Sequence, residues 1–390
     1  MNTASDVVRV EDLPLSDDRT RGWCALRAAG GVADLNETFV LSSAEALEFA
    51  TKHPEIFSSE DAFDRLGSPL RLIPIAVDPP EHARYRRLLD RFFAPKRMAE
   101  LDPALRAQVA ELIEGIRLTG GTCDVVQALA VPYPSQVFLT LFGLPLEDRD
   151  DLVRWKDAVL EATNPTSTEP SPEVLQHALE LFSYLADHVA RRRNTGGADL
   201  LSQLVATRDE GGMTDDEIIG LCFLFVLAGL DTVTSAIGFS FAKLGQDPTL
   251  RGRIGEDPVA VLAFVEEILR VEVPVPFAPR VTREEVDVDG VRLPKGASIL
   301  LALGAANRDP DRCEHADDFD LDRSSNRHFA FGGGPHRCLG SHLARLELRL
   351  VLEEWHRQIP RYELEPGFRP TAPWPAATLA LTSVRLVIGD

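Results

Sequence analysis

Phe331-Gly332-Gly333-Gly334-Pro335-His336-Arg337-Cys338-Leu339-Gly340 is the stretch on which the reading of this chain turns. A cysteine binds metal as its thiolate, and backbone N–H groups aimed at the sulfur stabilise that anion. Glycines let the backbone turn tightly and approach the sulfur without side chains in the way. A final long helix is expected from about Leu339 to Gln358, which puts Cys338 just before a helix start, where the dipole favours negative charge. The plain alternative is a glycine-rich turn with an incidental cysteine. The whole ten-residue run, rather than its glycines alone, makes Cys338 the candidate metal ligand.

Working outward, the other cysteines are Cys24, Cys123, Cys222 and Cys313. With Cys338 they are odd in number, widely spaced and without a C-x-x-C pair, so neither a disulfide framework nor a structural zinc site is indicated. They read as small buried hydrophobes. The composition, 44% hydrophobic and 26% charged, is that of a globular protein. A formal net charge of −20 disfavours nucleic acid as a partner, because a polyanion is repelled at long range. Nearly all the positive charge is arginine. The stretch Met1–Pro14 lacks the apolar run of a signal peptide. The most apolar segment, Leu221–Leu230, reads as the middle of a core helix, about half what a bilayer span needs. A cytoplasmic protein without membrane association is the expectation.

Along the chain, Phe39-Val40-Leu41 and Ser42-Ser43 read as a strand entering a helix at Ala44–Lys52. Residues Phe57–Ile75 lose any period and read as a long irregular loop. Helices then dominate: one after Asp78-Pro79-Pro80-Glu81 with Leu88, Leu89, Phe92 and Phe93 as its apolar stripe, then Ala104–Arg117, Tyr133–Phe142, Arg149–Glu161, Pro172–Arg193 and Asp199–Thr207. The clearest helix starts at Thr214, where Thr214 and Glu217 have capping-box spacing, and runs to about Gly245. Gly229 in its middle costs about 1 kcal/mol against alanine and needs a reason. Val286–Val288, Asp289-Gly290 and Val291–Leu293 form a hairpin signal. Ser298–Leu303 adds a strand, Asn307–Gly334 is loop-rich, and Leu379–Leu381 with Val384–Val387 read as edge or hairpin strands. No linker divides the chain, so residues 1–390 are taken as a single mainly α domain with a small β region.

The segment 331–340 resembles the haem-binding loop of the cytochrome P450 family in its soluble bacterial form, and other family motifs occur in order along nearly the whole chain. The resemblance implies a triangular, mostly helical cytochrome P450 fold around one haem b (iron protoporphyrin IX), with Cys338 as axial ligand and Phe331, Gly332 and Gly340 against the cofactor. Glu267 and Arg270 lie three apart on a helix and can pair. In isolation this is an ordinary surface ion pair, but the family buries it with a further arginine, here Arg323, in a structural role. Ala228-Gly229-Leu230-Asp231-Thr232 resembles the family's oxygen-activating segment. That gives Gly229 its reason, close approach of backbone to haem, and makes Asp231 and Thr232 the catalytic proton relay. The bland alternative has Thr232 bonding back to a helix carbonyl and Asp231 facing solvent.

Haem carboxylates need cations in so acidic a chain, and His82, Arg86, Arg280 and His336 match the family's donors. For substrate, family position nominates Phe225, Val275, Phe277 and Trp374, with Leu227 and the loop 57–75. The implied reaction inserts one atom of dioxygen into an apolar small molecule, by hydroxylation or epoxidation. Electrons come indirectly from NAD(P)H through a ferredoxin reductase and a ferredoxin, which docks near Arg87, Arg91, Arg337 and Arg345. A monomer is expected. Two alternatives stay open: a peroxygenase driven by hydrogen peroxide, which the Asp231-Thr232 pair disfavours, and a haem-binding sensor or carrier without turnover.

Overall fold

The computed structural model describes residues 9–35, 38–65, 71–162, 171–207 and 212–389. Helix α1 (Arg19–Ala28) precedes the hairpin of β1 (Val32–Leu35) and β2 (Thr38–Leu41), and β2 runs on into α2 (Ala44–Lys52). Next come β3 (Phe57–Ser58), α3 (Glu60–Arg65) and α4 (Glu81–Leu89). The helical body is α5 (Pro95–Thr119), α6 (Pro132–Phe142), α7 (Arg149–Ala162), α8 (Pro172–Thr195), α9 (Leu200–Ala206) and α10 (Asp215–Gln246), with β4 (Thr122–Asp124) between α5 and α6. Helices α11 (Pro248–Glu256) and α12 (Pro258–Val271) lead to β5 (Phe277–Thr282), β6 (Val286–Val288), β7 (Val291–Leu293) and β8 (Ser298–Ala302). The short α13 (Leu303–Ala306) and the long α14 (Ser341–Gln358) flank the cysteine loop, followed by β9 (Tyr362–Leu364) and β10 (Arg385–Ile388).

Local chemistry explains where these helices begin. Proline opens α6, α8, α11 and α12, where a missing N–H costs nothing. At α10 the capping box forms as expected: Glu217 N–H donates to Thr214 Oγ1 at 3.2 Å, and Thr214 N–H donates to Glu217 Oε2 at 2.6 Å. Helix α10 then crosses the interior. Its first half, Ile218 to Leu230, packs in one apolar cluster, and its second half, Val233 to Leu244, in another. Asp231 and Thr232 fall at the seam between the two. By length and apolar content α10 meets the requirement for a membrane span, further than the sequence reading of Leu221–Leu230 allowed, yet 56% of its most apolar window is buried inside the chain.

The main sheet has the order β1-β2-β8-β5-β3. Its edge brings β3 beside β5, with Ser58 opposite Val281, the residue after Arg280. At the separate hairpin β6–β7, Asp289 and Gly290 both take positive φ, 49° and 76°, as a tight turn demands.

Several expectations need correction. The segment 57–75 is not wholly irregular: it holds β3 and α3, too short to show a period, while residues 66–70 lie outside the described residues. Helix α5 starts at Pro95 and continues through Pro103, where the sequence reading began it at Ala104. Leu379–Leu381 is not a strand; Leu379 N–H donates instead to the Pro274 carbonyl at 2.8 Å. β10 is no edge strand but lies between β4 and β9, because β4 and β9, each only three residues long, pair with its two sides.

Candidate active site

The cysteine loop is folded by its own backbone. Cys338 N–H donates to the Phe331 carbonyl at 2.8 Å, and Gly332 N–H to the Phe329 carbonyl at 2.8 Å. Gly334 has φ +60°, and a Cβ there would run into the Thr51 carbonyl at the end of α2. Only glycine combines that left-handed backbone with that close approach. Cys338 keeps accessible surface, yet protein crowds it closely. Both hold if the sulfur faces a recess within the chain rather than bulk water. Burial pushes its thiol up, while the Gly340 N–H and the cations of Arg86, Arg337 and Arg345 pull the other way.

Helix α10 shares an apolar cluster with the end of this loop. Leu339, next to the cysteine, packs in the same apolar cluster as Leu224, Phe225, Leu227 and Leu230. In the middle of this otherwise buried helix Ala228 is exposed, and a Cβ added at Gly229 would meet nothing within 4 Å. Small residues there leave the backbone of a core helix open to close approach. Thr232 Oγ1 donates to the Ala228 carbonyl at 2.8 Å, the back-bond of the bland alternative, but Asp231 does not simply face solvent. Its Oδ1 accepts from Lys156 Nζ of α7 at 2.6 Å, and the same ammonium is 2.6 Å from Asp157 Oδ1. Lys156 is buried; burial opposes its charge, but the two carboxylates outweigh burial and raise its pKa. Sequence reading missed Lys156.

Beside the loop lies a cationic corner. His82 on α4 and His336 pack with ring centroids 4.2 Å apart and planes tilted by 45°, and the Nε2 of each is buried without a hydrogen-bond partner among the described residues. His336 Nε2 is 3.8 Å from Asp78 Oδ1, close enough for attraction and too far for a hydrogen bond. Burial, then His336 and Arg86, push His82 down to about 4. Arg280, 8% exposed, donates to the Pro279 carbonyl at 2.6 Å and has no carboxylate in contact among the described residues; burial pushes it down to about 10, with Asp78 opposing. Buried cationic and imidazole donors left unsatisfied are costly unless an anion meets them. They fit the two carboxylates of a haem, as the accessible sulfur fits its iron. Arg86 stands apart: its Nη1 donates to the Arg337 carbonyl at 2.6 Å and its Nε to Asp90 at 2.9 Å, so it ties α4 to the cysteine loop.

The E-x-x-R pair is buried, Glu267 at 0% and Arg270 at 1% exposure. Arg270 Nε and Nη2 donate to Glu267 at 2.8 Å, Arg323 Nε at 2.9 Å, the Asp320 N–H at 2.8 Å and Asn326 Nδ2 at 3.0 Å. Arg270 and Arg323 spend their other donors on the carbonyls of Asn307, Glu314, His315, Ala316 and Asp318. Asn307, also missed in the sequence, carries this order to the cysteine loop. Its Nδ2 donates to the Arg270 carbonyl at 3.1 Å and its Oδ1 accepts from Phe329 N–H at 2.6 Å.

The residues nominated for substrate are less free. Phe225 stacks on Phe93 with centroids 5.2 Å apart, and Phe277 packs between Trp23 and Trp374 at 5.7 and 6.0 Å. Trp374 Nε1 donates to the Val10 carbonyl at 3.1 Å, and Val275 packs against the larger apolar cluster. Arg345 is not a spare cation either: both its Nε and Nη2 donate to Glu266, and it lies 4.4 Å over the Phe331 ring.

The comparisons with known proteins agree with this geometry. Residues 35–366 match the family model for cytochrome P450. The vitamin D(3) 25-hydroxylase of Pseudonocardia autotrophica is 36% identical over 75% of this chain and 72% of its own length. The mycinamicin IV hydroxylase/epoxidase of Micromonospora griseorubida is 35% identical over 74% and 73%. The solved structure of the cytochrome P450 enzyme CxnD, for C–S bond formation in chuangxinmycin biosynthesis, superposes with a TM-score of 0.90 at 27% identity, covering 100% of this chain and 99% of that one. Sequence, fold and the unsatisfied corner beside Cys338 lead to one statement: the chain belongs to the cytochrome P450 family, and haem with its iron comes with that membership.

Proposed function

We propose that this chain is a haem-thiolate monooxygenase that inserts one atom of dioxygen into an apolar small molecule. Overall, substrate, dioxygen, two electrons and two protons give oxidised substrate and water. The observation that carries the reading is the accessible sulfur of Cys338 in its glycine loop beside the buried donors His82, His336 and Arg280. Cys338 would ligate the haem iron through its sulfur, His82, His336 and Arg280 would hold the haem carboxylates, and Arg86 would brace the loop. When bound, the haem would supply dioxygen activation, with electron density contributed by the cysteine thiolate.

The chain's own residues manage the protons. Thr232 Oγ1 spends its hydrogen on the Ala228 carbonyl and keeps both lone pairs, so it can accept from a protonated Asp231 or water and, by turning its own hydrogen away from the carbonyl, pass a proton on. Lys156 holds Asp231 turned toward α7 through their 2.6 Å contact; releasing that pair would free the carboxylate to carry a proton inward. Electrons are taken to come from NAD(P)H through a reductase and a ferredoxin. Arg87, Arg91 and Arg337 are exposed near the cysteine loop and give a chain of net charge −20 a local basic face for an acidic partner. A cytoplasmic monomer completes the reading.

The test is coupling. Thr232→Ala is expected to raise NAD(P)H and dioxygen consumed per product several-fold while haem content stays unchanged. Lys156→Met is expected to alter the rate of the proton-dependent step with the same haem content. Unchanged coupling in Thr232→Ala would remove the relay. Product formed from hydrogen peroxide alone, at the same rate as with reductant, would favour the peroxygenase.

A further inference from the structure

Asp78 serves two neighbourhoods with one buried carboxylate. On one side it accepts from Ser58 Oγ at 2.5 Å and Ser59 N–H at 3.0 Å, both residues fully buried at the entry to α3. Arg283, just past β5, lies 3.0 Å from Asp78 and reaches along α3, with its Nε and Nη2 on Asp61 at 3.0 and 3.1 Å and Glu60 at 3.6 Å. On the other side are His336 at 3.8 Å, packed against His82, and Arg280, whose charge Asp78 helps to sustain. Burial alone would push the Asp78 carboxyl up, but His336, Ser58, Ser59 and Arg283 outweigh it and hold it at about 2. The α3 segment reaches the apolar cluster of α10 and the cysteine loop: its Phe63 packs there with Leu224, Phe225, Leu227 and Leu339.

We infer that Asp78 is a positioning residue that couples the haem-carboxylate donors to α3, so that filling the cofactor site also fixes the segment that borders the substrate recess. The cofactor half of this inference rests on the functional reading above. A charge this well held has little freedom to move, so the groups on its two faces share its position. By linkage, haem that orders His336 and Arg280 around Asp78 must also stabilise α3, and loosening α3 must weaken haem binding by the same factor.

Amide hydrogen exchange across residues 58–65, with and without haem, tests it. In the wild type, haem removal is expected to speed exchange there, while β9, which packs at the Gly245 end of α10, changes little. Asp78→Asn keeps the shape and removes the charge. It is expected to speed exchange at 58–65 about tenfold in the haem-loaded protein and to abolish the haem-dependent difference. It also removes an anion from beside the haem carboxylates, so the reduction potential should rise. Ser58→Ala cuts only the α3 side and is expected to speed exchange at 58–65 with the potential unmoved. Survival of the full haem-dependent difference in Asp78→Asn overturns the inference. If that variant does not fold, Ser58→Ala and Arg283→Gln decide: unaltered exchange at 58–65 in both overturns it. Failure of wild-type haem to bind through Cys338, read from its absorption spectrum, would instead sink the functional reading.

Discussion

Replacing Glu267 by alanine removes the acceptor that holds two buried guanidinium groups. Five donors lose their partner together: two from Arg270, one from Arg323, the Asp320 N–H and Asn326 Nδ2. Arg270 and Arg323 stay buried, at 1% and 7% side-chain exposure, and retain only backbone carbonyls and a cysteine sulfur. Removing one member of a buried ion pair costs about 3–5 kcal/mol, because the remaining charge is left uncompensated. An unfolding entropy of roughly 2.1 cal/mol/K per residue over this chain converts that to a fall in Tm of about 4–6 °C. The control is Arg253→Ala. It breaks the bidentate Arg253–Asp322 pair one residue away from Arg323, but those side chains are 44% and 71% exposed. Exposed pairs contribute about 0–1 kcal/mol, so Tm should move by about 1 °C or less. Calorimetry and urea unfolding of both variants, with haem content measured alongside, read the comparison. Equal losses in the two variants would refute the burial argument, and full haem retention in Glu267→Ala would refute the link through Asn307 to the cysteine loop.

Gly334→Ala forces an L side chain into φ +60° against the Thr51 carbonyl, costing about 1–2 kcal/mol from the backbone alone and lowering haem content on gel filtration. Gly115→Ala, at an open position inside α5, should instead stabilise by up to about 1 kcal/mol in urea unfolding. Glu266 gives the pH dependence: burial would raise its carboxyl, but Arg345 and His328 hold it at about 2, against 4.5 when free. The unfolded chain therefore takes up this proton first, so its contribution is complete above about pH 4.5 and lost as pH falls through about 2. The urea midpoint of Glu266→Gln should lie below wild type at pH 7, and the gap should close between pH 4.5 and 2.

Much of the fold could be read from local signals. The Thr214–Glu217 capping box, the Asp289-Gly290 turn and the passage from β2 into α2 each lie within a few residues, and each formed where expected. The tight turn of the cysteine loop is likewise local, carried by the left-handed Gly332 and Gly334. What could not be read depends on pairs far apart in the chain. Lys156 and Asp231 are separated by 75 residues, and a lysine on an amphipathic helix carries no sign that its ammonium turns inward. Asn307 gains its role only from the backbone groups of Arg270 and Phe329. Asp78 sits beside a proline pair that reads as a helix start, which hides the shared carboxylate. The substrate side was the least legible, since apolar residues such as Phe225 and Phe277 have the same signature whether they face a ligand or stack on Phe93 and Trp23.

The central claim is that the sulfur of Cys338 is the axial ligand of the haem. The carbon monoxide difference spectrum of the reduced protein tests it most directly, because the Soret position reports the ligand opposite carbon monoxide. Wild type is expected to show the Soret band of a thiolate-ligated complex, and Cys338→Ala to lose or shift it. The same Soret position in both proteins would contradict the assignment.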